Sequence, residues 1–364
     1  MVAPLVNDSF VSLTPYVPGK PVAETERELG ITGAIKLASN ENPLGPSPRV
    51  LEAIRKTLPA LADYPDGGAF YLKRRLCEHH GITADRLVIG NGSNEIIEML
   101  IRTCMRSGEN VVHMDPSFIV YKLCVQAAGH EVRVVPHRDW GYDLPAMAKA
   151  MDERTKLVFI GNPNNPTGTY VNKAELDAFV RAIPASTIVV MDEAYFEYAH
   201  ASDYPNGFDL LAKRERAIVL RTFSKAYGLA GVRVGYGVGS PELIDYLNRG
   251  RQTFNCNTLG QVAAVAALDD QEHVQKAVAQ NRSEMARVVP RLRALGVTAR
   301  DSQANFVFVD LGRDAGPIYL AMLKLGVIIR PMAPYGLPTC VRITMGTPPQ
   351  NDRLLAALER VLGG

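Results

Sequence analysis

The 364-residue sequence lacks any surplus of charge, with 40 Lys and Arg against 38 Asp and Glu and a formal net charge of +2. That balance excludes the basic stripe expected of a chain that binds nucleic acid or lies on an acidic membrane, and leaves room only for local anion sites. Cysteine is scarce. Cys77, Cys104, Cys124, Cys256 and Cys340 are odd in number, scattered and never spaced as Cys-x-x-Cys. This argues against a disulfide framework and against a metal site of the zinc-knuckle kind, and it suits a reducing cytoplasm. No uncharged apolar run is long enough to span a bilayer, and no repeat or low-complexity tract is present. No basic residue precedes Lys20, and Asn7 and Asp8 interrupt the first apolar residues, which is not the layout of a signal peptide. What is present is 47% hydrophobic residues, enough for a sizeable core in a chain whose length suggests roughly two domains.

From about residue 85 onward, short β-rich runs alternate with helical stretches, the pattern of parallel strands joined by crossover helices. The runs are Leu87 to Gly90, Val111 to Met114, Val132 to Pro136, Leu157 to Gly161, Ile188 to Asp192, Ile218 to Thr222 and Val232 to Val238. All are nearly continuous apolar segments, as strands covered on both faces should be. The last connection is too short for a parallel crossover, so one antiparallel strand is expected and the sheet should be mixed. The fold class is therefore α/β: a seven-stranded, mostly parallel sheet between helices, followed by a smaller α+β domain. That second domain is read from strand-like Phe306 to Val309, Val327 to Arg330 and Val341 to Thr344, helical Ile318 to Leu325 and a closing amphipathic helix. Two helical segments after Asn257 lead into it, with Pro290 expected to kink or break the second. The division is 1–36 as an N-terminal arm docking on the small domain or on a neighbouring subunit, 37–256 as the large domain and 257–364 as the small one.

Ligands of open α/β sheets bind beyond the carboxyl ends of the strands. Four such ends carry chemistry: Gly90-Asn-Gly-Ser-Asn-Glu95, Asn162-Pro-Asn-Asn-Pro-Thr-Gly168, Asp192-Glu-Ala-Tyr195 and Thr222-Phe-Ser-Lys225. Lys225, directly after an apolar strand and before a small-residue loop, is placed for the lowered pKa that an imine-forming amine needs. Taken alone, a Ser-Lys pair is more often a snorkelling surface lysine. Asp192 ends a buried strand and requires a partner. A protonated heteroaromatic nitrogen would serve, and pyridoxal phosphate is the imine-forming cofactor that has one; a helix-capping role is the plain alternative. Gly92, Ser93 and Asn94, where a strand gives way to a helix, suit a phosphate, with Ser224 and Arg233 as further donors. Gly90 and Gly92 also match the start of a dinucleotide fingerprint, but Glu95 occupies its third glycine and would repel pyrophosphate, which discounts a nicotinamide-dependent dehydrogenase. Asn165 and Tyr195 can bond a cofactor oxygen, Phe118 can stack on a planar ring, and Arg330 and Arg342 are cations within apolar strands that each require an anion.

Together these residues resemble the fold type I pyridoxal-phosphate aminotransferases, of aspartate-aminotransferase-like fold, and among them the histidinol-phosphate aminotransferase branch. Further matching segments are Leu13-Thr-Pro-Tyr16, Leu37-Ala-Ser-Asn-Glu-Asn-Pro43, Tyr64-Pro-Asp66, the Thr-Phe-Ser-Lys-Ala-Tyr-Gly-Leu-Ala-Gly-Val-Arg233 run and Cys-Val-Arg-Ile-Thr-Met-Gly346. The resemblance implies Lys225 as the amine that joins pyridoxal 5'-phosphate, Asp192 on its ring nitrogen, and Asn165 with Tyr195 on its phenolic oxygen. Ser93, Asn94, Ser224 and Arg233 would take the phosphate, with Tyr64 reaching it from the other subunit of a homodimer that shares its active sites. Arg342 is implied as carboxylate anchor, and Tyr16, Asn40 and Arg330 as substrate contacts, Arg330 toward the phosphate of histidinol phosphate. The implied reaction, a step of histidine biosynthesis, passes an amino group from this donor to a 2-oxo acid, 2-oxoglutarate. Many members of the branch carry Tyr where this chain has Phe118. Aromatic amino-acid aminotransferases share the motifs and are the alternative; phosphothreonine decarboxylases are also close relatives.

Overall fold

A computed structural model of the chain describes residues 5–11, 13–15 and 19–363. Strand β1 (Ile35–Lys36) comes first, followed by β2 (Leu87–Gly90), β3 (Asn110–Asp115), β4 (Glu131–Pro136), β5 (Thr155–Gly161), β6 (Ile188–Asp192), β7 (Ala217–Thr222) and β8 (Gly235–Gly239). The last seven form one sheet in the order β2-β8-β7-β6-β5-β3-β4. Strand β8 runs against both of its neighbours and the remaining pairs are parallel. The mixed sheet is thus as the short connection implied. However, β8 begins at Gly235, because Ala230–Val232 forms a 3-10 turn instead of strand.

The central strands β6, β7 and β8 are buried along their whole length, as two-sided helix cover demands, and so is β2 at one edge. The exception is β4, which lies at the sheet edge and exposes residues along its length, so the expectation of cover on both faces fails there. Its polar Glu131 and Arg133, ion-paired to each other, suit a solvated edge.

The second layer of structure is a four-stranded sheet, β12-β13-β10-β9, made of β9 (Thr298–Ala299), β10 (Phe306–Asp310), β12 (Arg330–Pro331) and β13 (Cys340–Thr344). The run expected as a single strand from Val327 to Arg330 is split. Its first half, β11 (Val327–Ile328), pairs in parallel with β1, and only Arg330 and Pro331 join the four-stranded sheet. Helices Ala315–Lys324 and Pro348–Leu362 close over a core that includes Val307, Met322, Val341, Leu354 and Leu358. Pro290 does not break its helix, which continues from Gln271 to Ala294. Packing overrides the lost backbone bond: Val274 and Val278 pack into the core beneath the large sheet, while Val288 and Leu292 enter that of the small one.

The N-terminal segment divides between both layers. Helix Val22–Leu29 and β1 join the small sheet's surroundings, with Leu37 N–H donating to Ile328 O at 2.8 Å. The short helix Asp8–Val11 instead lies on the large layer, where Ser9 Oγ donates to Ala127 O at 3.2 Å. The two helices of this segment therefore lie against different sheets. Among the described residues no helix is long and apolar enough to cross a membrane, and no group of His, Cys, Asp and Glu could hold a metal ion.

Candidate active site

The carboxyl ends of β2, β5, β6 and β7 open on one side of the large sheet, and the small sheet faces them there. Between them lies a cavity of about 220 Å³ lined by Asn40, Ser93, Asn94, Phe118, Asn165, Asp192, Tyr195, Ser224, Lys225, Arg233, Arg330 and Arg342. Residues separated by up to 300 positions in sequence are thereby brought to one surface. Tyr64 is not part of it. It is 81% exposed, stacked on Phe254 with ring centroids 4.7 Å apart. Tyr16 lies outside the described residues.

Lys225 is half-buried in the cavity wall, its Nζ 3.4 Å from Ser39 O and 5.5 Å from the centroid of the Tyr195 ring. Burial lowers its pKa from 10.5 to about 8; the Arg342 and Arg233 guanidiniums push the same way, and the Glu41 and Asp192 carboxylates oppose them. An appreciable fraction of this amine is therefore neutral, and nucleophilic, near neutral pH.

Asp192 is 5% exposed at the end of β6. Tyr121 Oη donates to its Oδ2 at 2.7 Å and the Ala194 N–H to its Oδ1 at 3.2 Å. Burial raises its pKa, and the two hydrogen bonds and the Lys225 charge pull it back down. The neighbouring Glu193 serves the scaffold: its carboxylate takes two bonds from Arg221, at 2.8 and 2.9 Å, and one from the Gly207 N–H at 2.7 Å. This ion pair ties the end of β6 to β7, so Asp192 and Lys225 are held by adjacent, cross-braced strands.

The 162–169 loop presents Asn165 because its other asparagines are used internally. Asn162 exchanges two hydrogen bonds with Val171, and Asn164 donates to Pro116 O and Thr167 Oγ1. Gly168 at φ +74 closes the turn, and a Cβ there would run into the Ser302 side chain. Arg342 Nη1 donates to Asn165 Oδ1, so the NH2 group is what Asn165 has left to offer a ligand. Tyr195 Oη accepts from Asn40 Nδ2 at 2.8 Å, and Asn40 is fixed in turn by Thr344 Oγ1 on its amide N–H (2.9 Å) and its Oδ1 (3.1 Å).

An anion cradle is built at the start of helix Ser93–Cys104, whose first backbone N–H groups have no intrahelical acceptor. Gly92 precedes it at φ +77, and a Cβ there would meet Arg233 Nη2 at 2.5 Å. Gly235 clears the other side, since its Cβ would lie 2.6 Å from the Ser93 nitrogen. Arg233, itself at φ +55, donates to Ser224 Oγ at 3.3 Å, which brings a guanidinium, a hydroxyl and a helix N-terminus together. Glu95 does not point into this cradle; its carboxylate accepts from the Asn91 N–H at 2.7 Å and from Asn255 at 2.6 Å.

Arg330 and Arg342 are direct register partners across β12 and β13, each 7% exposed. Like charges directly opposite one another repel, and a shared anionic ligand relieves them. Among the described residues Arg342 bonds only neutral oxygens, Asn165 Oδ1 and Ala38 O, and its Nε is buried without a partner.

Sequence reasoning missed Tyr121, Ser39 and Tyr335, the last of which also lines the cavity. Tyr121 had a weak signal, since it lies three residues beyond Phe118 and thus on the same face of a turn. Ser39 acts through its carbonyl, which no side-chain pattern reveals.

The family model described as aminotransferase class I and II matches residues 32–358. The histidinol-phosphate aminotransferase 2 of Pseudomonas fluorescens is 51% identical over 360 residues, 98% of this chain and 97% of the relative. Among solved structures, the histidinol-phosphate aminotransferase of Sinorhizobium meliloti in complex with pyridoxal-5'-phosphate superposes with a TM-score of 0.90 at 31% identity, over 100% of this chain and 98% of the other. The aspartate aminotransferase of Thermus thermophilus, with maleate, shares the fold at a TM-score of 0.84 and 22% identity, over 99% and 100% of the two chains.

Proposed function

The chain belongs to the class I and II aminotransferases, and from that premise we propose that it transfers the amino group of histidinol phosphate to 2-oxoglutarate with pyridoxal 5'-phosphate as cofactor. The observation that carries the substrate reading is the Arg330–Arg342 register pair, two buried arginines on directly opposed strand positions that both line one cavity. The donor brings a phosphate and no α-carboxylate, whereas the acceptor brings two carboxylates. Arg330 takes the donor's phosphate, and Arg342 serves chiefly the half-reaction with glutamate and 2-oxoglutarate. Asn40 lines the substrate side.

The cavity fits the cofactor. The cradle that a Cβ on Gly92 would fill suits its phosphate, held by Ser93, Asn94, Ser224 and Arg233. Asp192 would receive the ring N–H, Asn165 and Tyr195 would bond the phenolic oxygen, and Phe118 would stack on the ring. When bound, pyridoxal phosphate supplies an aldehyde that condenses with amines and a heteroaromatic ring that accepts an electron pair. Lys225 would hold it through Nζ, and that same amine, in its neutral form, would carry a proton between positions of the substrate. Asp192, as an anion, keeps the ring nitrogen protonated.

The working unit is a homodimer with shared sites. Leu58, Leu61, Tyr64, Phe70 and Tyr71 are large apolar side chains exposed along one stretch of chain, and exposed apolar surface of this kind suits a subunit contact. Tyr64 would reach the partner's cofactor phosphate. The free cysteines favour work in the reducing cytoplasm.

Steady-state assays with histidinol phosphate and phenylalanine in parallel test the substrate reading; equal or better efficiency with phenylalanine overturns it in favour of an aromatic amino-acid aminotransferase. Borohydride reduction of the loaded enzyme followed by peptide mapping tests the cofactor reading, which requires the label on Lys225.

A further inference from the structure

Tyr121, in helix Val120–Ala127, forms part of the cavity wall and is 1% exposed. Its ring stacks on Phe159 at 4.6 Å and 9°, and Phe118 meets its edge at 5.5 Å and 89°. Gly161 makes room for the hydroxyl, which lies 3.3 Å from where a Cβ on that residue would be. So gripped, Tyr121 Oη donates to Asp192 Oδ2 at 2.7 Å, the shorter of the two bonds that Asp192 accepts.

The choice of a phenol has a chemical consequence. A lysine or arginine here would neutralise Asp192 and repel a protonated ring nitrogen. Tyr121 raises no such conflict, because burial lifts its own pKa far above the usual phenol range and keeps it a neutral donor. Each carboxylate oxygen has two lone pairs, so one donor on each leaves Asp192 able to accept a third. Hydrogen bonds to a buried carboxylate also favour its charged form, against the desolvation that favours the acid.

We propose that Tyr121 is a positioning residue, which through its hydroxyl holds Asp192 ionised and in one orientation toward the pyridoxal-phosphate ring nitrogen, and thereby sets how firmly the cofactor is retained. The inference rests on the cofactor reading above.

The test compares the wild-type holoenzyme with Tyr121→Phe, Asp192→Asn and the double variant. The readouts are the rate of cofactor loss to a scavenging apoenzyme, the absorption band of the bound cofactor against pH, and kcat against KM. A lost bond to a charged group predicts cofactor loss faster by on the order of ten-fold in Tyr121→Phe, with kcat falling more than KM changes. In the Asp192→Asn background the same substitution should add nothing, because the two groups act as one unit. A Tyr121→Phe enzyme indistinguishable from wild type in cofactor loss and spectrum overturns the inference alone. So does an equal effect in both backgrounds, which marks a purely structural role. Wild-type protein that takes up no pyridoxal phosphate overturns the underlying reading as well. If Tyr121→Phe fails to fold, 3-fluorotyrosine at position 121 keeps the shape with a stronger donor; it should slow cofactor loss only when Asp192 is present, and an unchanged rate refutes the role.

Discussion

Replacing Lys225 by methionine should stabilise the cofactor-free protein, and by an amount that depends on pH in a defined way. The amine's pKa is depressed from 10.5 to about 8, mainly by burial. At about 1.4 kcal/mol per pH unit, holding this group as a cation costs the folded chain roughly 3 kcal/mol. Below about pH 8 the lysine is charged in both folded and unfolded chains, and the folded chain carries the whole penalty. Between about 8 and 10.5 the folded chain has released the proton while the unfolded chain retains it, so stability rises with pH through this window. Above it neither form is charged. Methionine has similar length and no charge, so Lys225→Met should exceed wild type by roughly 3 kcal/mol near pH 7, with the gap closing toward pH 10. Urea unfolding of both apoproteins at one protomer concentration, across that range, measures it. A gap that stays constant with pH would mean that the amine is not depressed and that the stated origin of its nucleophilicity is wrong.

Gly92→Ala forces a Cβ against Arg233 at a positive φ, so cofactor affinity should fall at least about ten-fold, with a stability loss of about 1–3 kcal/mol; equilibrium dialysis of the coenzyme checks the first effect. Glu193→Ala leaves the Arg221 cation buried between Phe196 and Phe208 without its partner, and should cost about 3–5 kcal/mol in urea unfolding. A cost under about 1 kcal/mol would show that the brace between β6 and β7 is unimportant. Arg342→Lys preserves charge and loses the planar fork, so KM for 2-oxoglutarate should rise on the order of ten-fold while KM for histidinol phosphate changes little. Equal increases for both substrates would contradict the division of labour between Arg330 and Arg342.

Much of the site was legible because it is written in contiguous words at strand ends. Asp192, Lys225 and the Gly92-Ser-Asn turn each follow an apolar run, and a run followed by an abrupt polar cluster can be read without knowing which strands are neighbours. The antiparallel strand was likewise legible from connection length alone. Less visible were features whose cause lies in another part of the chain. Pro290 remains helical because two cores grip its helix, and Val327 to Arg330 is divided because β1 captures its first half. Tyr121 gains its role only because its hydroxyl meets Asp192, 71 positions away in the chain.

The sequence by itself determined the alternation of α and β elements, the α/β class with its mixed seven-stranded sheet and the identity of the polar residues at the sheet's carboxyl edge, since hydrophobic period and chain reach are local properties. Only the tertiary structure decided that Arg330 and Arg342 stand opposite each other, that Asn40 anchors Tyr195, and that a phenol instead of a cation supports Asp192. These depend on register and on the close approach of distant strands, and they decide charge balance in a cavity where water no longer screens it.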